Sequence, residues 1–512
     1  MKKTCYITTP IYYVSGPLHI GHLYSTIMAR TIANYKIARG YDVKFLTGSD
    51  EHGQKIQNKA AKFNKEPKEF VDELVKTYQQ TWKDWGVNID YFSRTTAPHH
   101  EQAVKKIFTK FLNDGYIYKG KYEGLYSVED EEFLTKAQAL EIDSKFYHPT
   151  SKHELVQMSE ASYFFKISDM QEWWIGYVNE NTDFLLPYKT LNEINTNFVS
   201  QGLEDLSVTR TNIQWAIPTE QDPKHTLYVW LDALFNYVTA LKFDLDSPGQ
   251  DYLKYWENGD EIIHVLGKEI TRFHFIYWPM FLKALGLKQP THILSHGLLR
   301  DKDGRKMSKS LGNAIEPEYL LKNYHPEMIK YYFASQIIFG DDGNFSEEKL
   351  KETINADLVN NFGNLVSRTL KMISNSFDQG THFSVSNEKI HTKIEEEICA
   401  FPNEFNELMD SFKIDKAFKK SMELCSKLNK YIDETTPWKL TENPDELNLV
   451  LNRLLNGIYA VAWSLQIVLP TKISEVAKAL KINQFDYDKI TDFKKFDNHV
   501  CEDKFILFNR LK

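Results

Sequence analysis

Two rhythms of apolar and polar positions run along this chain, and the switch between them divides it. Thr4–Thr9 reads as a short buried strand. A loop carrying Pro10, Gly16 and Pro17 follows. Helical spacing then takes over across His22–Arg39, with Leu23, Ile27, Arg30-Thr31 and Asn34-Tyr35 at helical intervals and Gly40 as the stop. Asp42–Leu46 reads as a second strand. Strand, loop, helix, strand is a βαβ unit, which predicts a parallel sheet. A second helix is predicted over Glu101–Asn113, its apolar face made by Ala103-Val104, Ile107-Phe108 and Phe111-Leu112, with Gly115 ending it. From about 116 to 200 short alternating runs such as YIYKGKYEGLYSV predict antiparallel strands inserted into the first fold. Strand patterns return at Thr226–Trp230, Glu261–Leu266 and Thr291–Leu294. From about 350 to 470 the pattern is helical. No internal repeat stands out.

Composition narrows the class. Of 512 residues, 42% are hydrophobic and 14% aromatic, enough for packed cores. The length suggests about three domains. Cys5, Cys399, Cys425 and Cys501 have no pairable spacing, which argues against a disulfide framework and a cysteine-held zinc, and for a reducing, cytoplasmic setting. No 18-residue apolar run predicts a membrane span, and Met1-Lys2-Lys3 leads straight into a strand pattern with no signal core. The net charge of −8 does not mark a nucleic-acid binder, although local basic patches can still serve as one.

The stretch PLHIGH, residues 17–22, places two imidazoles around an Ile-Gly pair at a predicted helix start. Metal binding lacks a third ligand nearby. A phosphate site uses both rings as donors beside a helix N-terminus, with Gly21 allowing close backbone approach. Far downstream, DGRKMSKSLGN, residues 303–313, gathers Lys306, Ser308, Lys309 and Ser310 on one loop, mobile positive charge suited to a departing pyrophosphate. A calcium-loop reading of Asp301–Gly304 lacks the third acidic position and the closing glutamate. No G-x-G-x-x-G follows the first strand, which excludes a nicotinamide oxidoreductase.

HIGH near the start and KMSKS about 290 residues later resemble the class I aminoacyl-tRNA synthetases. With TTPIYYVSGPLHIGH, TGSDEHGQKI, YVWLDAL, GKEITRFH and YIDETTPW, the chain resembles the methionyl-tRNA synthetases of the short bacterial type over essentially its whole length. That resemblance implies an α/β fold. A Rossmann-type parallel-sheet catalytic domain (1–115 and 206–298) would carry a mixed α/β connective insertion (116–205). The KMSKS loop and stem-contact region (299–350) and an all-α anticodon-binding domain with tail (351–512) would follow. It implies activation of L-methionine with Mg²⁺-ATP to methionyl-adenylate, then transfer to the terminal adenosine of tRNA(Met). By the same resemblance His19 and His22 contact phosphates, Lys306 and Lys309 hold pyrophosphate, and Gly21, Gly267, Lys268 and Glu269 serve ATP. Asp50 would take the methionine ammonium. Ile11, Tyr13, Trp230, Ala233, Leu234, Tyr237, Ile270, Phe273 and His274 would wall the thioether, since sulfur packs well at ring edges. Asn364, Arg368 and Trp438 fall on anticodon positions, where amides, a guanidinium and an exposed indole suit unstacked bases. Ordinary core packing competes for the aromatic set, and a solvated helix face for the last three.

Two departures matter. Residues 116–205 contain no cysteine, so the zinc knuckle of many relatives is not expected; packing around Tyr122, Tyr126, Phe133 and Phe164-Phe165 would hold the insertion. No C-terminal tRNA-binding barrel follows the helical part, so a monomer is expected. Phe505–Phe508 is expected to pack back on the main body. A synthetase for another apolar amino acid, or a nucleotidyltransferase that uses no tRNA, are the rival readings.

Overall fold

The computed structural model describes residues 2–128, 132–134, 136, 139–149, 151–307, 313–377, 380–503 and 505–512. The chain forms two compact units, Met1–Ala33 with Tyr41–Gly297, and Asn34–Gly40 with Leu298–Lys512.

The first unit is built on a six-stranded parallel sheet. Its strands are β1 (Thr4–Tyr13), β2 (Asp42–Asp50), β3 (Tyr91–Arg94), β6 (Leu185–Leu186), β7 (Glu261–Gly267) and β8 (His292–His296), in the order β3-β2-β1-β7-β8-β6. Helix α1 (Ile20–Ala38) follows β1, α2 (Pro98–Asn113) follows β3, and α3 (Val229–Leu234) precedes β7. Near-continuous burial along β1 and β7 is what a sheet covered on both faces requires. The order reverses between β1 and β7, and ligands of such sheets bind outside the carboxyl ends of the strands at that point. Gly48 is forced by the sheet itself: a Cβ there would lie 2.2 Å from the Ser93 carbonyl oxygen and 2.8 Å from Ile11 Cγ2.

Four expectations are adjusted. β1 extends to Tyr13, four residues past the predicted strand, and α1 begins at Ile20 rather than His22. The predicted strand Thr226–Trp230 is a strand only over Thr226–Leu227; the chain turns helical at Val229, so Trp230 rides on α3. The insertion contains the predicted antiparallel pair, β4 (Ile117–Ser127) against β5 (Val156–Phe165), in register from Ile117↔Phe165 to Tyr126↔Val156. Yet β6, from the same segment, is the edge strand of the main parallel sheet.

The insertion is anchored at its root and packed separately at its tip. Phe165 lies 5.0 Å from the Phe111 ring and 4.9 Å from Phe281, inside the main core. Leu125, Leu134 and Leu155 form a small second cluster. Tyr126 and Phe164 are buried, as expected; the side chains of Tyr122 and Phe133 lie outside the described set.

The second unit is helical as the pattern predicts. Its longer helices are α4 (Pro326–Gln336), α5 (Asn364–Ser376), α6 (Lys389–Asp410), α7 (Ile414–Thr435), α8 (Pro444–Leu465) and α9 (Pro470–Ala479). Every residue of α8 from Leu447 onward is buried, which makes it the central helix. A π-helical stretch, Ile354–Gly363, leads into α5. The tail does fold back: Leu507 and Phe508 are buried, the Phe508 ring is 5.8 Å from His325, and Leu511 exchanges two hydrogen bonds with the Asn355 side chain.

Candidate active site

The carboxyl ends of β1 and β7 and the start of α1 gather most of the predicted groups of the first unit. The His19 and His22 rings stack 3.7 Å apart at the mouth of α1. Each ring accepts a backbone N–H at Nδ1, from Gly21 to His19 (3.0 Å) and from His19 to His22 (3.1 Å). A ring accepting at Nδ1 carries its proton on Nε2. Both histidines are therefore neutral, with the ring proton on Nε2. Burial, then the neighbouring ring, lowers the His22 pKa well below the usual value. Gly21 is needed for this pairing, because a Cβ would sit 2.9 Å from His19 Cε1. Tyr12 braces the turn, its ring 4.7 Å from His22 and its hydroxyl 2.7 Å from Thr26 Oγ1.

Asp50 ends β2 directly opposite Tyr13 and is buried. Its neighbour Glu51 is fully buried and committed to Arg94, at 2.6 and 2.9 Å, and to Thr96. This lock fixes the loop that presents Asp50.

The aromatic set divides in two. Trp230 is half-buried and lies flat on Phe273, centroids 3.9 Å apart, and forms a T-shaped pair with the His274 ring at a centroid distance of 6.0 Å. Tyr237 donates to His274 Nε2 at 2.6 Å, because His274 Nδ1–H is already given to the Ile270 carbonyl at 3.0 Å. Burial lowers the His274 pKa to about 4, so it is neutral. Ile11, Trp230 and Ile270 pack as partly buried groups on the core that contains Leu234 and Tyr237. Ala233 and Leu234 are buried. Gly267, Lys268 and Glu269 lie where β7 ends, the last two exposed.

The remaining predicted residues belong to the second unit. Lys306 is exposed on a loop tied by Asn313, whose amide donates to the Lys306 carbonyl (3.2 Å) and to Asp301 (2.9 Å). Lys309 lies outside the described residues. Asn364 is exposed on α5, and the Arg368 guanidinium lies 5.8 Å over the half-exposed Trp438 ring and 3.5 Å from Asp433. Asn361, three residues before Asn364, is instead committed to packing, with its amide shared among Met422, Ser426 and Asn429.

Sequence reasoning missed a second layer. His264 on β7 gives Nδ1–H to Thr8 (2.7 Å), accepts the Trp278 indole N–H (3.2 Å), and lies 4.2 Å from the Tyr237 ring. His296 accepts from Ser25 (2.6 Å) and gives its other N–H to the Gly297 carbonyl. His52 and Asp232 stand inside the GSDEHG and YVWLDAL motifs, which was the available signal, but their side chains hydrogen-bond to each other, and Asp232 also to His100.

The profile of the tRNA synthetases class I (M) family matches residues 5–143 and 147–370. A methionine--tRNA ligase of Mycoplasmopsis pulmonis is 48% identical over 512 residues, all of both chains. That of Bacillus subtilis is 40% identical over 529 aligned positions, covering 100% of this chain and 78% of the relative. Among solved structures, Mycobacterium tuberculosis methionyl-tRNA synthetase in complex with methionyl-adenylate superposes with a TM-score of 0.93 at 30% identity, over 99% of this chain and 100% of that one.

Proposed function

The chain belongs to the methionine–tRNA ligase family of class I aminoacyl-tRNA synthetases, and we propose that its residues divide that reaction as follows. Methionine is activated with ATP to methionyl-adenylate and then carried to tRNA. In the first step a methionine carboxylate oxygen attacks the α-phosphorus of ATP and pyrophosphate leaves. The work of the protein is to position both reactants and to stabilise charge on the phosphate oxygens.

His19 and His22 donate Nε2–H to those oxygens, helped by the N-terminal end of α1. Their neutrality is an asset: two imidazoliums stacked this closely would repel. Gly21, Gly267, Lys268 and Glu269 hold the nucleotide, and Lys306 and Lys309 supply ammonium groups to the leaving pyrophosphate. Mg²⁺ arrives with the nucleotide as its counter-ion. Asp50 takes the methionine ammonium. Ile11, Tyr13, Trp230, Ala233, Leu234, Tyr237, Ile270, Phe273 and His274 shape the thioether pocket.

Residues 116–205 act as the connective insertion and 351–512 as the anticodon-reading part, where Asn364, Arg368 and Trp438 meet unstacked bases. The protein works as a monomer in the cytoplasm without structural zinc; the insertion lacks the thiolates that such a zinc would need. Among the described residues no helix is long and apolar enough to cross a membrane.

The observation that carries the site assignment is the pair of Nε2–H donors set at the helix mouth beside the β1–β7 reversal. Exchange of labelled pyrophosphate into ATP, run with each of twenty amino acids, tests the reading. Exchange with methionine alone is expected, and His22→Asn should lower its rate by about 10²–10³-fold. Undiminished exchange in that variant would remove His22 from the site.

A further inference from the structure

Behind the pocket lies a buried cluster that none of the steps above uses. Asp232, on α3, accepts one hydrogen bond on each carboxylate oxygen: from His52 Nδ1–H and from His100 Nε2–H, both at 2.7 Å. All three side chains are at most 4% exposed. His100 is backed by the Thr239 hydroxyl at 2.7 Å, and His52 Nε2 faces Glu101 at 3.6 Å. The Trp215 ring covers His52 at 5.5 Å.

The location gives the cluster its meaning. His52 is two residues beyond Asp50, and Asp232 sits between Trp230 and Ala233. α3 has only six residues and no side-chain cap, so it cannot fix its own orientation. The carboxylate of Asp232 ties α3 both to the loop after β2 and to the first turn of α2.

We propose that His52, Asp232 and His100 are positioning residues. They set α3, and with it Trp230, against Asp50, so that the ammonium site and the thioether wall are held at the spacing of methionine. This rests on the pocket assignment made above. The rival is a buried polar network that only stabilises the fold.

Pyrophosphate exchange by the full chain separates the two, with KM for methionine, KM for ATP and kcat determined on variants whose melting is cooperative. His100→Leu removes one donor to Asp232 and leaves the pocket wall untouched. It is expected to raise KM for methionine about tenfold or more, since small misplacements cost up to about 10²-fold, and to leave KM for ATP within about twofold. His100→Gln keeps an N–H for Asp232 and should restore most of the loss. An unchanged KM for methionine, or a parallel decline in all three parameters, overturns the proposal. If His100→Leu does not accumulate folded, Thr239→Val decides by the same criterion, since it strips only the hydroxyl behind His100. Trp230→Ala is run alongside. If it leaves KM for methionine unchanged, the pocket assignment itself has failed. If it raises KM while the His100 and Thr239 variants are silent, the clamp alone has failed.

Discussion

Buried histidines around the same pocket elements reach opposite protonation states. His264, His274 and His296 are hydrogen-bonded to neutral groups, namely hydroxyls, an indole and backbone carbonyls, and the pull of Glu269 on His296 is outweighed by burial. Burial lowers the pKa of all three, to about 4 for His274 and His296. His52 is as buried as they are, and burial pulls it down too, but Asp232 and then Glu101 raise it to about 10. Exposure is the same; the charge of the partner decides. One set supplies uncharged, directional hydrogen bonds where a ligand is expected. The other uses a buried charge as a fastener.

Acid separates the two kinds of histidine most strongly. Below the unfolded value of about 6.5 the unfolded chain binds protons that His274 and His296 refuse. Their contribution to stability is full above pH 6.5 and is lost as pH falls toward about 4, worth about 3 kcal/mol for each group. Urea unfolding at pH 7.5 and at pH 4 measures it, and a His274→Asn chain should lose less over that interval. Equal losses in both chains would mean that His274 titrates normally.

Next in size is Asp232→Ala. It leaves a protonated His52 buried without its main partner and should cost about 3–5 kcal/mol in urea unfolding at pH 7. A cost under 1 kcal/mol would show that the carboxylate fastens nothing.

The fastener has the opposite pH signature. The folded pKa of His52 is raised, so its contribution is fully present below pH 6.5 and declines as pH rises toward about 10, by at most about 1.4 kcal/mol per unit. The groups facing it are Asp232 and Glu101, with the Trp215 ring above. Stability followed from pH 7 to 9 should fall in the parent chain and stay flatter in His52→Gln.

Why one layer was legible in sequence and the other was not follows from distance along the chain. The strand–loop–helix around His19 and His22 is local, and periodicity, Gly40 and the HIGH spacing were enough to place it. The helical second unit and the antiparallel pair in the insertion carry equally local signals. Trp230 misled because TLYVW has strand propensity. The turn to helix is imposed when the Tyr228 N–H goes to the Val208 carbonyl and the Asp232 N–H returns to Tyr228. The edge strand Leu185–Leu186 is too short to show a period. The clamp joins residues 180 and 132 positions apart, a pairing that no pattern within one element can reveal. Asn361 lies three residues before Asn364 and seven before Arg368, and only the neighbouring helix α7 shows that its amide is already committed.

The most local change alters one hydrogen bond inside the neutral set. Tyr237→Phe removes the hydroxyl that donates to His274 Nε2 at 2.6 Å. His274 cannot compensate by turning its proton around, since Nδ1–H is held by the Ile270 carbonyl. A buried acceptor is left unmade, at a cost of about 1–3 kcal/mol at pH 7. The same vacated nitrogen is then better placed to take a proton, so the acid-induced loss attributed to His274, which still begins at about pH 6.5, should finish at a higher pH and be smaller than in the parent. His264, whose partners are Thr8 and Trp278, keeps its hydrogen bonds throughout. A ring resonance of His274 followed by NMR against pH reads the shift directly. If its midpoint stays near 4 without the tyrosine hydroxyl, burial alone keeps this histidine neutral, and the hydroxyl serves only to aim the ring.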